Sequence, residues 1–220
     1  MLGTIANALA VVAGSAVGMV ARRKVPSRAL ELARDAVGLF TLSLGASMAL
    51  ERSNPIVLVF SLLLGALLGH LLKIEERLER LAPLLKGGSS FATGLMTAFL
   101  TYCVGPMTVV GSLKDGMGDP SILLTKSVMD GMVSVAYSAT LGWGVMASAI
   151  PLLIFQGSLA LIGWLMKTSL PSISVSTLTA CGGILLLGVG VNLLNLRRVR
   201  VGDLLPALLF AALLPLAYNS

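Results

Sequence analysis

Charge is scarce in this chain. Asp, Glu, Lys and Arg make up 12% of its 220 residues, against roughly 25% in soluble domains, too few to clothe an ordinary solvated surface. Histidine occurs once and cysteine twice. A single His leaves no Ser/His/Asp constellation, and no HExxH pair, GxSxG turn, P-loop or strand-flanked GxGxxG is present, so an enzyme is not expected. Cys103 and Cys181 both fall in apolar segments, which supports neither a disulfide framework nor a CxxC metal pair. No metal and no cofactor is expected. A secretory signal is missing as well: the first apolar run, Leu2 to Ala21, has no basic n-region and is followed by "RRK" rather than a small-residue cleavage site, so it reads as a true first span.

What remains is apolar. The chain is 56% hydrophobic with a mean hydropathy of +0.93, more than a single soluble core of this length can absorb. Apolar segments of about 20 residues recur, each closed by charge, Pro or Gly, the size of helices that cross a hydrocarbon layer of ~30 Å. The fold class expected is all-α, a polytopic transmembrane helical bundle. About eight spans are read on the hydropathy pattern: Leu2–Ala21, Leu32–Leu50, Ile56–Leu72, Ser90–Gly111, Ser121–Ser148, Pro151–Met166, Thr177–Leu196 and Leu204–Tyr218.

Loop charges orient the spans. With the N-terminus outside, the inner connections hold Arg22, Arg23, Lys24, Arg28, Arg34, Lys73, Arg77, Arg80, Lys86, Arg197, Arg198 and Arg200, twelve of the sixteen Lys and Arg. The positive-inside rule therefore puts both termini outside. Basic loops facing anionic headgroups account for the pI near 9.8, and nucleic acid is not needed as a partner. "KIEERLERLAPLLKGG", residues 73–88, spaces Ile74, Leu78, Leu81 and Leu85 as an amphipathic helix on the cytoplasmic surface; the bland alternative is that it prolongs the third span.

An internal repeat is also read. "GSAVGMV" at Gly14 aligns with "GSLALIG" at Gly157, and at the same offset "LGASMAL" at Leu44 aligns with "LGVGVNL" at Leu187. Spans one to three thus resemble spans six to eight, and the intervening pair sets the copies in opposite orientations, an inverted repeat. One membrane domain covers 1–220: repeat A over 1–72, the amphipathic helix over 73–88, a central helix pair over 89–149 and repeat B over 150–220.

Polar chemistry concentrates in the central pair. In "TYCVGPMTVVGSLKDG", residues 101–116, Pro106 after Gly105 removes a backbone donor and crowds the carbonyl four residues back, so a kink or unwound turn is expected beside Thr101. Span five is longer than a crossing requires and carries Gly131 and "GWG" at 142–144; it must tilt, bend or break. Within it Lys126 lies about 8 Å deep and Asp130 about 14 Å deep at ~1.5 Å per residue, close to the midplane. Their spacing of four puts both on one helical face. A charge there costs roughly 2.5–3.5 kcal/mol even on the mild insertion scale, so it must face protein or water. Asn7, Gln156 and Asn192 from spans one, six and seven are the other candidates to line a site with Asp130, although any one interhelical amide bond contributes only about 0.6–2 kcal/mol and has structure as its default role. Thr97, Ser112 and Ser134 are further polar groups at depth. Met96, Met107, Met129, Met132 and Met146 read as gap filler rather than a soft-metal path, and His70 as an interfacial residue.

"YCVGPMTVVGSLKDG", "LLTKSVMDG", "IPLLIFQGS" and "GVNLL", with Asn7, Gly14 and Gly18 near the start, resemble the bacterial membrane family labelled domain of unknown function 554, the YqgA-like and YdfK-like proteins. The resemblance covers essentially the whole chain and implies a multi-pass protein of the bacterial inner membrane, with transport as the only activity suggested and no substrate attached. The function expected is a small secondary transporter or ion pathway with its coupling site in spans four and five, at Asp130, Lys126, Gly105, Pro106, Thr101, Asn7, Asn192 and Gln156. The alternative is a non-transport structural or stress-related membrane protein in which the Lys126–Asp130 pair only locks helices. Expected partners are membrane lipids, an unidentified small solute or ion, and a second copy of the chain, since eight spans are few to enclose a path.

Overall fold

The computed structural model describes residues 1–22, 26–51, 53–77, 91–103, 106–166 and 171–218, and among these every regular element is a helix. In chain order they are α1 (Leu2–Arg22), α2 (Ser27–Ala49), α3 (Pro55–Leu72), α4 (Phe91–Cys103), α5 (Pro106–Gly116), α6 (Ser121–Leu141), α7 (Trp143–Ala147), α8 (Ala149–Met166), α9 (Ser172–Leu193), α10 (Val201–Leu204) and α11 (Ala207–Tyr218). Among the described residues four stretches are long and apolar enough to cross a membrane, Leu2–Arg22, Pro55–Leu72, Trp143–Leu165 and Ser172–Leu193, and the bent pair α4–α5 makes a fifth if it counts as one span. Hydropathy alone led to an expectation of eight. The difference has a compositional cause. Arg28, Glu31, Arg34 and Asp35 crowd the start of α2, Lys126 and Asp130 interrupt α6, and a turn at Leu205–Pro206 splits α10 from α11.

Helix ends follow from local chemistry. Asn54 caps α3, its side chain accepting from Ile56 N at 3.0 Å with Pro55 at the first helical position, where the missing N–H of proline costs nothing. The same helix stops because Lys73 turns left-handed (φ 51°) and returns its N–H to Gly69 O and His70 O. The described residues 73–77 therefore do not continue the third span as one unbroken helix, and the rest of the expected amphipathic helix, 78–88, lies outside the described residues. The cap of α1 is remote: the Asp115 carboxylate at the end of α5 accepts from Gly3 N at 3.0 Å, Thr4 N at 2.9 Å and Thr4 Oγ1 at 2.9 Å, supplying acceptor and negative charge where a helix start needs both.

The central segments differ from the expected boundaries. Span five was expected to run to Ser148; α6 ends at Leu141 because Gly142 adopts φ 77°, a conformation that glycine reaches without steric cost. Arg22 of α1 donates to the freed Thr140 carbonyl at 3.3 Å. The next rod starts at Trp143 and passes through Ser148, which keeps helical angles (φ −63°, ψ −17°). Span four is broken as expected, its halves α4 and α5 bent by 67°.

Packing arranges the helices in pairs: α1 along α6, α2 along α9, α5 across α8 and α3 along α11. Of the most apolar window of α9, 72% is buried, against 22% for α3, so α9 sits at the centre and α3 at the rim. Two pairings use glycine for close approach. A side chain at Gly14 would strike Gly131 O and one at Gly18 would strike Val135 O, so the G-xxx-G stripe of α1 lies directly on the backbone of α6. On α2 and α9 the contacts are reciprocal and antiparallel: Gly45 faces Gly183 O and Leu187, while Gly190 faces Leu42 and Gly183 faces Ala49.

Gly14 and Gly157, aligned in the sequence repeat, make a matched test. Gly14→Leu should destabilise by about 1–3 kcal/mol through overpacking and lower the thermal midpoint in mild detergent by roughly 2–12 °C. Gly157, with no atom within 4 Å of an added Cβ, should accept alanine with no loss.

Candidate functional site

Residues four apart on a helix share a face, and α6 uses that rule to build a polar stripe. Lys126, Asp130, Ser134, Tyr137 and Ser138 are all buried on the side it presents to its neighbours. Opposite stand Asn7 from α1, Gln156 from α8 and Tyr102 from α4, each fully buried. Midway along the bundle these side chains close into one cluster.

At its centre Lys126 Nζ donates to Asp130 Oδ1 at 2.7 Å and to Oδ2 at 2.9 Å, with the residues 9% and 4% exposed. The pair lies within one helix. What crosses between helices is amide chemistry: Asn7 Nδ2 donates to Asp130 Oδ2 at 3.0 Å and to Gln156 Oε1 at 3.3 Å. This orientation is dictated step by step. An ionised carboxylate only accepts, so Asn7 must turn its NH2 toward Asp130; its second hydrogen then fixes the oxygen of Gln156. Asn7 Oδ1 and Gln156 Nε2 are left buried with no hydrogen-bond partner, a rarity in native interiors.

From Asp130 the stripe continues toward the Gly142 end. Ser134 Oγ donates to the Asp130 main-chain carbonyl at 2.7 Å. Its proton so committed, Ser134 accepts from Tyr102 OH at 2.8 Å. Tyr102 stacks on Tyr137 with ring centroids 6.3 Å apart, and Tyr137 OH lies 3.4 Å from Thr101 Oγ1. Tyr102 is itself anchored by the break in span four. Pro106 has no N–H to return to the carbonyl four residues back; Thr108 Oγ1 takes its place, donating to Tyr102 O at 2.6 Å.

The sequence-derived candidates separate on this geometry. Asn7, Lys126, Asp130 and Gln156 meet. Thr101 stands at the Gly142 end of the stripe, and Pro106 acts through the backbone by opening α5. Gly105 lies outside the described residues. Asn192 belongs elsewhere: its Nδ2 donates to Val199 O at 2.8 Å and its Oδ1 accepts from Val199 N at 2.7 Å, clamping the turn after α9. That is a correction with a simple cause, since Asn192 lies next to the last residue of α9 and its amide matches the exposed peptide groups there. Tyr102 was missed, although a hydroxyl-bearing ring four residues before a proline was the available signal. Met129 and Met132 face outward, away from the cluster. Among the described residues no three His, Cys, Asp or Glu side chains converge on a metal position. Just before α6, exposed Asp119 is held below the usual carboxylate range by the hydroxyl and N–H of Ser121.

Residues 2–216 match the family described as Protein of unknown function (DUF554). The chain is 31% identical over 214 residues to the Uncharacterized membrane protein YdfK of Bacillus subtilis (strain 168), covering 95% of this chain and 93% of that one. It is 34% identical over 135 residues to the Uncharacterized protein YqgA of Escherichia coli (strain K12), covering 60% of this chain and 56% of that one. No solved structure matches the chain.

The hydrogen-bond order makes Asn7 the connector between Asp130 and Gln156. Asn7→Leu should therefore cost about 1–3 kcal/mol, the penalty of leaving buried polar partners unmet. Thr101→Val, at a long contact, should stay within roughly 0.5 kcal/mol. Detergent thermal denaturation of the two variants beside wild type measures the contrast.

Proposed function

Since the chain belongs to the DUF554 family, whose description assigns no activity, we propose from the site alone that it is a small carrier or ion pathway whose coupling site is the Lys126–Asp130–Asn7–Gln156 cluster. The observation that carries this reading is a buried ion pair at mid-bundle flanked by two unpaired amide atoms. A pair kept only to fasten helices would reach between helices and leave nothing unmet. This one is intrahelical, and its surroundings are incomplete. The broken span four passes beside it and supplies Tyr102 and Thr108, in keeping with the use of interrupted helices where a membrane protein handles a solute or ion.

The reading includes eight crossings, with both termini outside, in a bacterial inner membrane. Its support is directional. α6 runs parallel to the apolar rod α1, α2 antiparallel to the rod α9, and α10–α11 antiparallel to the rod α3, so each helix that is more polar or shorter lies beside one long enough to cross. Arg22, Lys73, Arg197, Arg198 and Arg200 fall at the end of the bundle where α1, α3 and α9 finish, as the positive-inside rule requires of a cytoplasmic face.

An inverted repeat also forms part of the proposal. Pro26 (φ −58°, ψ 146°) and Pro171 (φ −55°, ψ 143°) cap α2 and α9 alike. The reciprocal contacts between those helices make Gly38 the counterpart of Gly183, Leu42 of Leu187 and Gly45 of Gly190. This register is two residues from the one the sequence motifs suggest. α3 against α11 and α1 against α8 pack across the same relation.

Two experiments follow. In liposomes challenged with proton, sodium and potassium gradients and a panel of small solutes, the wild-type protein should dissipate at least one gradient, and Asp130→Asn should insert and fold but carry no gradient-driven flux; wild-type rate and pH dependence in that variant would refute the coupling site. Reporters that fluoresce only in the cytoplasm should light up when fused after Arg28, Lys86 and Arg200 and stay dark after Ser220; a bright C-terminal fusion would mean an odd number of crossings.

A further inference from the structure

The unmet atoms of the cluster specify what it takes. Lys126 has three ammonium hydrogens and commits two to Asp130. Gln156 Nε2 carries two hydrogens without an acceptor, whereas only Asn7 Oδ1 is an acceptor without a donor. The surplus is of donors. It is also fixed in place, because the chain of orientation from Asp130 through Asn7 to Gln156 leaves the Gln156 amide no alternative rotation that keeps every bond. A metal cation would meet hydrogens on two of the three free groups, and its nearest carboxylate is already covered by an ammonium.

We infer that the site binds a small monovalent oxyanion, of carboxylate or similar type, between Lys126 Nζ and Gln156 Nε2, and carries it together with a proton that rests on Asp130. The inference rests on the proposed transport reading and names its substrate class. Charge balance sets the order. The empty pair is neutral. An anion alone would make the site negative, and a proton alone on Asp130 would release Lys126 as an uncompensated cation at membrane depth, each a costly state. Proton and anion together restore neutrality: Asp130 becomes the neutral acid, and the ammonium it frees turns to the anion. Asn7 Oδ1 is left to accept a hydroxyl or acid hydrogen from the solute. The titratable groups facing Asp130 are Lys126 and Tyr137 on its own helix and Tyr102 and Cys103 on α4. α1 and α8 face it with the amides of Asn7 and Gln156.

Full-length protein in liposomes containing a pH dye tests this with labelled lactate, nitrate and methanesulfonate as anion probes and sodium and potassium as cation probes, protein-free vesicles serving as the leak control. Acid outside should drive uptake of at least one anion with matching internal acidification. Gln156→Leu and Gln156→Glu should raise the half-saturating anion concentration roughly 10- to 100-fold, the effect of losing a donor to an ionised group. Asp130→Asn, a permanent mimic of the protonated acid, should lose the response to the pH gradient yet retain anion-for-anion counterflow. That retention separates the proposal from a cation site, where the same variant removes the ligand and all exchange with it. Proton exchange against sodium or potassium with no anion dependence would overturn the oxyanion and leave the transport reading standing; silence to every gradient would overturn both.

Discussion

The structure depends on keeping one ion pair dry and neutral. Asp130 sits near the middle of α6, a helix of 21 residues, with Lys126 one turn before it, and each is costly to hold without the other in a hydrocarbon environment. Much of the surrounding packing serves that need. Gly14 and Gly18 bring the backbone of α1 onto α6, which delivers Asn7 to the carboxylate. The positive φ at Gly142 ends α6 and returns the chain through Trp143–Leu165, which delivers Gln156. The bend of span four brings Tyr102 to the Ser134 hydroxyl. Three helices distant in sequence are thus held against one stripe, and a local backbone feature helps to position each.

How far this could be read from sequence depends on whether the cause was local. Lys126 and Asp130 stand out because opposite charges four residues apart in an apolar run share a helical face and answer each other there. The interruption at Pro106 was legible for the same reason, since the missing donor is a property of that residue alone. Partners set by tertiary distance were not. Asn7, Gln156 and Asn192 look alike as isolated amides in apolar runs; which of them reach Asp130 depends on where each helix ends, and Asn192 lies close enough to its helix end for the Val199 peptide to claim it. Boundaries failed where glycine decides them. Gly142 and Gly144 both offered a break, and only the backbone angle at Gly142 distinguishes them. The remote cap on α1 left no trace near the helix it serves.

Symmetry and site are separate matters in this molecule. α2 and α9 repeat each other's caps and glycine contacts and form the central seam, with α3 and α11 beside them. The polar cluster does not repeat. In the proposed repeat Asn7 and Gln156 would come from corresponding helices, yet they meet each other and a single carboxylate instead of forming two copies of a site. Under the proposed repeat, the frame would present nearly equivalent surroundings to that pair from either side, while the pair itself stays singular. The hydroxyl relay through Ser134 and Tyr102 extends from it in one direction only.

The cap on α1 has a consequence for how the chain is made. Asp115 follows Gly3 by 112 residues, so at synthesis rates of about 5–20 residues per second the first helix waits roughly 6–22 s for the group that satisfies its leading amides. Asn7 waits longer still, because Asp130 and then Gln156 emerge after Asp115. During that interval α1 is a newly inserted helix with a bare start and a lone amide facing lipid or the insertion machinery. Its final seating belongs to a later stage of assembly, when α5, α6 and α8 have been made and can pack against it.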